Sequence, residues 1–235
     1  MEEDGLTIRI RGNQKYRPFD CTVEGDCSQA AFWAELALLS GSKVLISGFK
    51  EDTRQGDRVI ALLAARFGGK VSFHKEVCLI KGDQLNGINA DLADCPDLGP
   101  ALFAAAAMSE GKSVFVNTSR LRMKESDRIS CMAEELRKLG VRIEDDADSL
   151  TIYGQGKVKK GTVFEGHNDH RIVMALAMIG AAGDVPVCIN GAEAVNKSYP
   201  GFFKDLESVN VEVELYDTVL FREDKRPLSS NILNI

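Results

Sequence analysis

The chain has 235 residues, a net charge of −6 and an isoelectric point of about 5.2. It has no basic excess with which to hold a phosphate backbone, so nucleic acid is excluded as a partner, and an anionic small substrate needs cations gathered locally. At 44% hydrophobic and 27% charged, the composition is that of a soluble globular protein, large enough for one large or two small domains.

The opening, Met1-Glu2-Glu3-Asp4, is acidic and does not read as a signal peptide. Residues 6–12 alternate apolar and charged side chains, as an edge strand does, and residues 1–19 are expected to be an N-terminal edge segment left from a preceding domain or linker. From about residue 20 the chain repeats itself. Asp26, Asp97 and Asp169 each open a helical pattern, and each pattern ends at a glycine a nearly constant distance on: Gly41, Gly111 and Gly183. Strands are expected after these glycines, at 43–46, 113–116 and 185–189. A second helix follows in each unit: one from Gln55-Gly56-Asp57-Arg58 to Phe67, one from Glu125-Ser126-Asp127-Arg128 to Leu139, and one near 200–206. The pairs Asp57-Arg58 and Asp127-Arg128 stand at the same distance as Gly41 and Gly111. Strand pairs follow at 70–73 with 77–80 and at 141–144 with 150–153; the shortened third unit closes with one strand at 209–214.

Each unit thus reads strand–helix–strand–helix–strand–strand, without particular residues for its leading strand. The first helix of each unit is apolar all round, which places it inside a domain. The expectation is an α/β domain over 20–215, built from three units (about 20–84, 85–155 and 156–215) in pseudo-threefold symmetry around buried helices. Residues 216–235 continue no repeat and are expected to be a disordered tail. The longest apolar run, 173–182, is too short to span a bilayer, so no membrane association is expected. Cys21, Cys27, Cys78, Cys95, Cys131 and Cys188 form no C-x-x-C pair and have no zinc spacing to His74, His167 or His170. Reduced thiols, no metal and a cytoplasmic location are expected.

Chemistry concentrates in a few segments. In Leu121-Arg122-Met123-Lys124-Glu125-Ser126-Asp127-Arg128, a helix starting near Met123 would put Lys124 and Arg128 on one face with Glu125 beside them. Two cations flanking a carboxylate can grip a phosphate dianion and keep an acid/base within reach; the same pattern also fits a solvated helix start. Asn168-Asp169-His170-Arg171 opens the third unit's helix, where backbone N–H groups favour anions; Asp169 also reads as a helix cap and His170 as a structural histidine. Val195-Asn196-Lys197-Ser198-Tyr199-Pro200 puts Lys197 on a loop, where it also reads as a plain surface lysine. Asp97 and Ser28 read first as caps of buried helices. Glycine loops of the nucleotide-binding kinds do not occur.

In this order and at these separations, Arg122-Met123-Lys124-Glu125-Ser126-Asp127-Arg128, Asn168-Asp169-His170-Arg171 and Asn196-Lys197-Ser198-Tyr199-Pro200, with Gly25-Asp26-x-Ser28 and Pro96-Asp97 upstream, resemble the C-terminal half of the 5-enolpyruvylshikimate-3-phosphate synthase family. The resemblance covers roughly residues 6–215. It implies an inside-out α/β enolpyruvyl transferase domain, one of two that enclose a cleft. It also implies transfer of the enolpyruvyl group of phosphoenolpyruvate to the 5-hydroxyl of shikimate 3-phosphate, by addition then elimination, without metal or organic cofactor, on the way to chorismate and the aromatic amino acids. Carried over by position, Asp97, Lys124 and Glu125 are catalytic, and Arg128, Arg171 and Lys197 clamp phosphoenolpyruvate and, in this family, glyphosate. Asp97, Lys124 and Arg120 bind shikimate 3-phosphate, and His170 lines the site. Position 120 is Arg where some relatives place Asn. The family's Lys-Ser, Gly-Asn-Ser-Gly-Thr and Ser-Ser-Gln segments are not found.

A single domain of a two-domain synthase is therefore expected, inactive without an N-terminal half supplied in cis or in trans. Three rivals share features with it. UDP-N-acetylglucosamine enolpyruvyl transferase has the same repeat but suits the 124–128 segment less well. RNA 3′-phosphate cyclases use related folding units but are disfavoured by the acidic charge. A non-catalytic half-domain would bind phosphoenolpyruvate or a partner domain without turnover.

Overall fold

The computed structural model describes residues 2–4, 7–183, 185–216 and 232–234. Strands β1 (Glu2–Asp4) and β2 (Thr7–Arg9) pair antiparallel as an isolated hairpin. Residues 10–26 take no regular structure, and Ile10, Tyr16, Phe19 and Val23 stand exposed along them.

The first unit then runs through α1 (Cys27–Ser40), β3 (Lys43–Ser47), a 3-10 turn at Gly56–Val59, α2 (Ile60–Arg66), β4 (Lys70–His74) and β5 (Val77–Lys81). The second has β6 (Asn89–Asp91), a 3-10 turn at Pro96–Leu98, α3 (Gly99–Met108), β7 (Lys112–Val116), a 3-10 turn at Ser119–Met123, α4 (Arg128–Arg137), β8 (Arg142–Asp145) and β9 (Ser149–Tyr153). The third has β10 (Val163–Glu165), α5 (His170–Ala182), β11 (Cys188–Asn190), a 3-10 turn at Ala192–Lys197, α6 (Phe202–Ser208), β12 (Glu214–Leu215) and β13 (Ile232–Asn234).

The second and third sheets have the same order, β6-β7-β9-β8 and β10-β11-β13-β12, each with its leading strand parallel to the next. The first sheet has three strands, β3-β5-β4. Helices α1, α3 and α5 touch one another at the centre, while the sheets face outwards. Every residue from Gly99 to Ala107 and from His170 to Gly180 is buried, which is why neither sequence has a polar face. The alanine run Ala104–Ala107 in α3 presents no bulk to its neighbours, so the inner helices lie close together. The inside-out α/β architecture is the one expected.

Local differences have physical causes. The helix expected from Met123 starts at Arg128, because Asp127 caps it by accepting the Ser130 N–H, and Lys124 is extended (φ −92°, ψ −158°). The strand expected from Val185 starts at Cys188, after Pro186, which has no N–H for a ladder. The strand expected over 209–214 shrinks to Glu214–Leu215. Ile232–Asn234, expected in a disordered tail, instead pairs with β11 and β12, while residues 217–231 and 235 of that tail lie outside the described residues.

Candidate active site

The three inner helices share one end. Asp26 caps α1, accepting the Ser28 N–H at 2.8 Å and the Ser28 hydroxyl at 2.7 Å. Asp169 caps α5, accepting the Arg171 N–H at 2.9 Å. Asp97 lies in the 3-10 turn that leads into α3 and caps nothing. Arg171 joins all three ends: its guanidinium donates to the Ser28 hydroxyl at 2.8 Å, the Ser28 carbonyl at 3.4 Å and the Asp97 carbonyl at 3.3 Å. Three helix N-termini, each the positive end of an aligned row of peptide dipoles, thus meet at one place.

The segment 124–127, extended between a 3-10 turn and the capped start of α4, brings its side chains to the same point. Arg128, only 1% exposed, donates to Asp169 Oδ2 at 2.8 Å, to Asp97 Oδ1 at 3.0 Å and to Glu125 Oε2 at 2.5 Å. Lys124 Nζ lies 3.0 Å from the same Asp97 oxygen, and Arg171 Nη2 lies 3.9 Å from Asp97 Oδ2. The Ser126 hydroxyl donates to Asp169 Oδ2 at 3.0 Å. Lys124 and Arg128 do not share a helix face as the spacing suggests; they converge on Asp97 from different backbone segments. Three cations (Lys124, Arg128, Arg171) therefore face three carboxylates (Asp97, Glu125, Asp169). Glu125 is 42%, Asp97 33% and Lys124 27% exposed, so the cluster opens to solvent on one side.

The electrostatics follow from these contacts. Burial works to raise the Asp97 carboxyl, but the Lys124 hydrogen bond and the charges of Arg171, Lys124 and Arg128 outweigh it and hold the group below the usual range. Burial likewise opposes ionisation of Asp169, and Arg128, the Arg171 N–H and the Ser126 hydroxyl overcome it. His170 goes the other way: burial lowers its pKa, so the ring is neutral at pH 7 and its 3.9 Å approach to Asp169 is not an ion pair. Its Nδ1 is buried without a partner.

The remaining expected residues lie further out. Lys197 is exposed and its ammonium donates to the Asn168 carbonyl, just before the cap of α5. The next residue, Ser198, accepts from Gln29 on α1 at 3.2 Å, so this loop spans the ends of both helices. Arg120 is exposed and donates to the Ala93 carbonyl at 3.0 Å, making no contact with the cluster.

Three contributors have no site role assigned from the sequence. Ser28 is not the cap but the second helical residue, buried against Arg171. Ser126 supports Asp169. Asp57, expected only to start a helix, has a buried Oδ1 with no partner. Its pKa is raised by burial and by the charge of Asp97, against the pull of Arg171. The one signal for it is its place in the repeat, which matches that of Asp127 in the next unit. Among the described residues, Glu134, Glu135 and His167 could converge on a metal ion, but Glu135 already accepts from Lys138 at 2.6 Å, His167 at 3.0 Å and the Glu165 N–H at 2.9 Å.

The family model for EPSP synthase (3-phosphoshikimate 1-carboxyvinyltransferase) matches residues 1–206. The chain is 40% identical over 215 residues to the 3-phosphoshikimate 1-carboxyvinyltransferase of Clostridium kluyveri, covering 90% of this chain and 50% of the relative. It is 43% identical over 204 residues to that of Clostridium acetobutylicum, covering 87% and 47%. The chain thus spans about half the length of the curated relatives it matches. Among solved structures, EPSP synthase from Acinetobacter baumannii superimposes with a TM-score of 0.70 at 29% identity, covering 82% of this chain and 47% of that one. The enolpyruvyl transferase NikO from Streptomyces tendae, with a TM-score of 0.67 and 18% identity over 83% of this chain and 45% of its own, has the same fold. With the repeat, the inner-helix architecture and the matched span in agreement, this chain belongs to the EPSP synthase family.

Proposed function

We propose that the chain is the phosphoenolpyruvate-side domain of a 3-phosphoshikimate 1-carboxyvinyltransferase, working with an N-terminal half in cis or in trans and inactive without it. The observation that carries this reading is the convergence of Lys124, Arg128, Arg171 and Asp97 at the common end of three buried helices. Such a site suits a polyanionic substrate.

In this reading, the 5-hydroxyl of shikimate 3-phosphate attacks C2 of phosphoenolpyruvate while C3 gains a proton, giving a tetrahedral adduct. Loss of a C3 proton and of inorganic phosphate then leaves the enolpyruvyl ether. Asp97 accepts the hydroxyl proton and Glu125 delivers and retrieves the C3 proton. Arg171 and Lys197 hold the carboxylate and phosphate of phosphoenolpyruvate, with Lys124 between the two substrates. Arg128 keeps Asp97, Glu125 and Asp169 in place from below and adds its charge to the clamp. His170 stays neutral and lines the floor. Arg120 reaches shikimate 3-phosphate only by leaving the Ala93 carbonyl.

Asp97 is a weak base while Lys124, Arg171 and Arg128 surround it. Substrate anions that draw Lys124 and Arg171 to themselves would raise its affinity for a proton, which couples base strength to binding. The open side of the cluster is where the other half would close, excluding water and fixing the reacting atoms.

The test is phosphate release from shikimate 3-phosphate plus phosphoenolpyruvate. The chain alone should give none. Adding an N-terminal synthase half should restore turnover, and Asp97→Ala or Lys124→Ala should abolish it again. Turnover by the chain alone would sink the half-site reading. Phosphoenolpyruvate binding with no turnover under any complementation would favour a non-catalytic binding domain.

A further inference from the structure

The turn that leads into α5 is left-handed at two consecutive residues, neither of them glycine. His167 and Asn168 have φ of 50° and 54°, and the Asp169 N–H closes the turn on the Gly166 carbonyl at 2.9 Å, as in a type I′ turn. Glycine takes this conformation freely, whereas a side chain resists it. The entry to the turn is fixed as well. The Gly166 N–H donates to the Asn190 carbonyl at 2.9 Å, and a Cβ on Gly166 would lie 2.5 Å from Val173 and 2.8 Å from that carbonyl. This turn carries parts of the site: the Asn168 carbonyl accepts from the Lys197 ammonium, and Asp169 follows directly.

What holds the turn lies on α4. Glu135 is fully buried and uses both oxygens there: Oε1 accepts from His167 Nε2 at 3.0 Å, and Oε2 accepts from the Glu165 N–H at 2.9 Å and from Lys138 at 2.6 Å. Lys138 also donates to the Val163 carbonyl on β10 at 3.2 Å. About two helical turns earlier, on the same buried face of α4, Arg128 grips Asp169 at 2.8 Å. The helix therefore holds the chain on both sides of the left-handed pair, at residues 165 and 167 before it ends and at residue 169 after it. None of the hydrogen bonds of Glu135 goes to the cation cluster itself.

We propose that Glu135 and His167 are positioning residues for the anion site: the buried carboxylate holds His167 left-handed, and through that turn it sets the Asn168 carbonyl against Lys197 and the Asp169 carboxylate against Arg128. What the brace contributes to catalysis rests on the synthase reading; the brace itself does not. Three donors face Glu135, and a glutamine there would turn an NH2 group towards one of them, so at least one contact is lost. A glycine at 167 needs no brace, because positive φ costs it no side-chain clash. Damage done by Glu135→Gln is thus reversible by His167→Gly if Glu135 acts through the backbone of the turn, and irreversible if Glu135 only holds the fold.

The Asp169 amide and the Lys197 ammonium report on the turn without any ligand. Hydrogen exchange at the Asp169 amide should quicken by about tenfold in Glu135→Gln. The Ala30 amide, bonded to the Asp26 carbonyl at 3.0 Å in α1, should keep its rate. Acetylation of Lys197, followed by peptide mass spectrometry against the exposed Lys204, should rise by about threefold as the Asn168 carbonyl is lost. Adding His167→Gly should return both readouts to the rates of the unaltered chain. With Glu135 intact, His167→Gly should keep Asp169 protected, while His167→Val, which loses the same hydrogen bond but resists positive φ, should release it. Unchanged exchange at Asp169 in Glu135→Gln overturns the proposal. So does equal quickening at Ala30 and Asp169 that His167→Gly fails to reverse, which would leave Glu135 a fold-holding residue alone. Release of Asp169 by His167→Gly as complete as by His167→Val overturns it too, and that pair decides the matter if Glu135→Gln does not fold. No readout uses a substrate, so failure here is distinct from failure of the synthase reading.

Discussion

Arg128 is a buried charge whose cost is met only because its guanidinium finds carboxylates on three segments, Asp97, Glu125 and Asp169. Removing it leaves Asp169 uncompensated at 0% exposure. Arg128→Ala should therefore destabilise the domain by about 3–5 kcal/mol, read as a shift in urea midpoint. The pH dependence has a definite sign. The folded-state pKa values of Asp169 and Asp97 are lowered, so their contribution is present above the unfolded value of about 3.9 and is lost as pH falls through the lower folded values. The unaltered chain should lose stability over that acid window, and Arg128→Ala should flatten the loss. An Arg128→Ala curve parallel to the parent would mean the network carries no such linkage. The sequence shows that these residues are charged and clustered; it does not show that Arg128 lies beneath the cluster and Lys124 at its opening. That division depends on the backbone turning outward before Asp127, a consequence of tertiary contacts with Asp97 and Asp169.

At the scale of elements, the inner helices were the most legible, because an Asp cap, an all-round apolar stretch and a following glycine leave few alternatives. Their terminal detail was less so: Gly41 ends α1 in the left-handed region (φ 64°), while α3 already ends before Ser109. The leading strands β6 and β10 are only three residues long and pair with distant chain, so no local period marks them. One helix breaks its own pattern. Glu35 lies within α1, fully buried, with neither carboxylate oxygen bonded, and burial raises its pKa well above the usual value. An unpaired interior carboxyl costs about 1–3 kcal/mol, so Glu35→Met should raise the melting temperature. Because the folded pKa is raised, the parent loses stability as pH climbs from the unfolded value of about 4.3 through the folded one, and the gain from Met should grow over that range. A lower melting temperature in the variant would mean that Glu35 has a partner in solution.

For the whole molecule, the threefold repeat and the inside-out arrangement were readable because the units keep a nearly constant spacing between their closing glycines, Gly41, Gly111 and Gly183. The convergence of the site was not, since Ser28, Asp97 and Arg171 are separated by a unit's length each and meet only when three helices are stacked with their starts together. Arg171 is where the units are stitched, and this makes the domain resemble a tripod bound at one end of its legs. A guest held by that binding is felt along every leg. Millimolar phosphoenolpyruvate should thus slow hydrogen exchange in α1, α3 and α5 together, including turns remote from Arg171, and Arg171→Lys should confine any residual slowing to α5. If only α5 responds in the unaltered chain, the three legs move independently, and a ligand would have to be gripped by one helix at a time rather than by the frame as a whole.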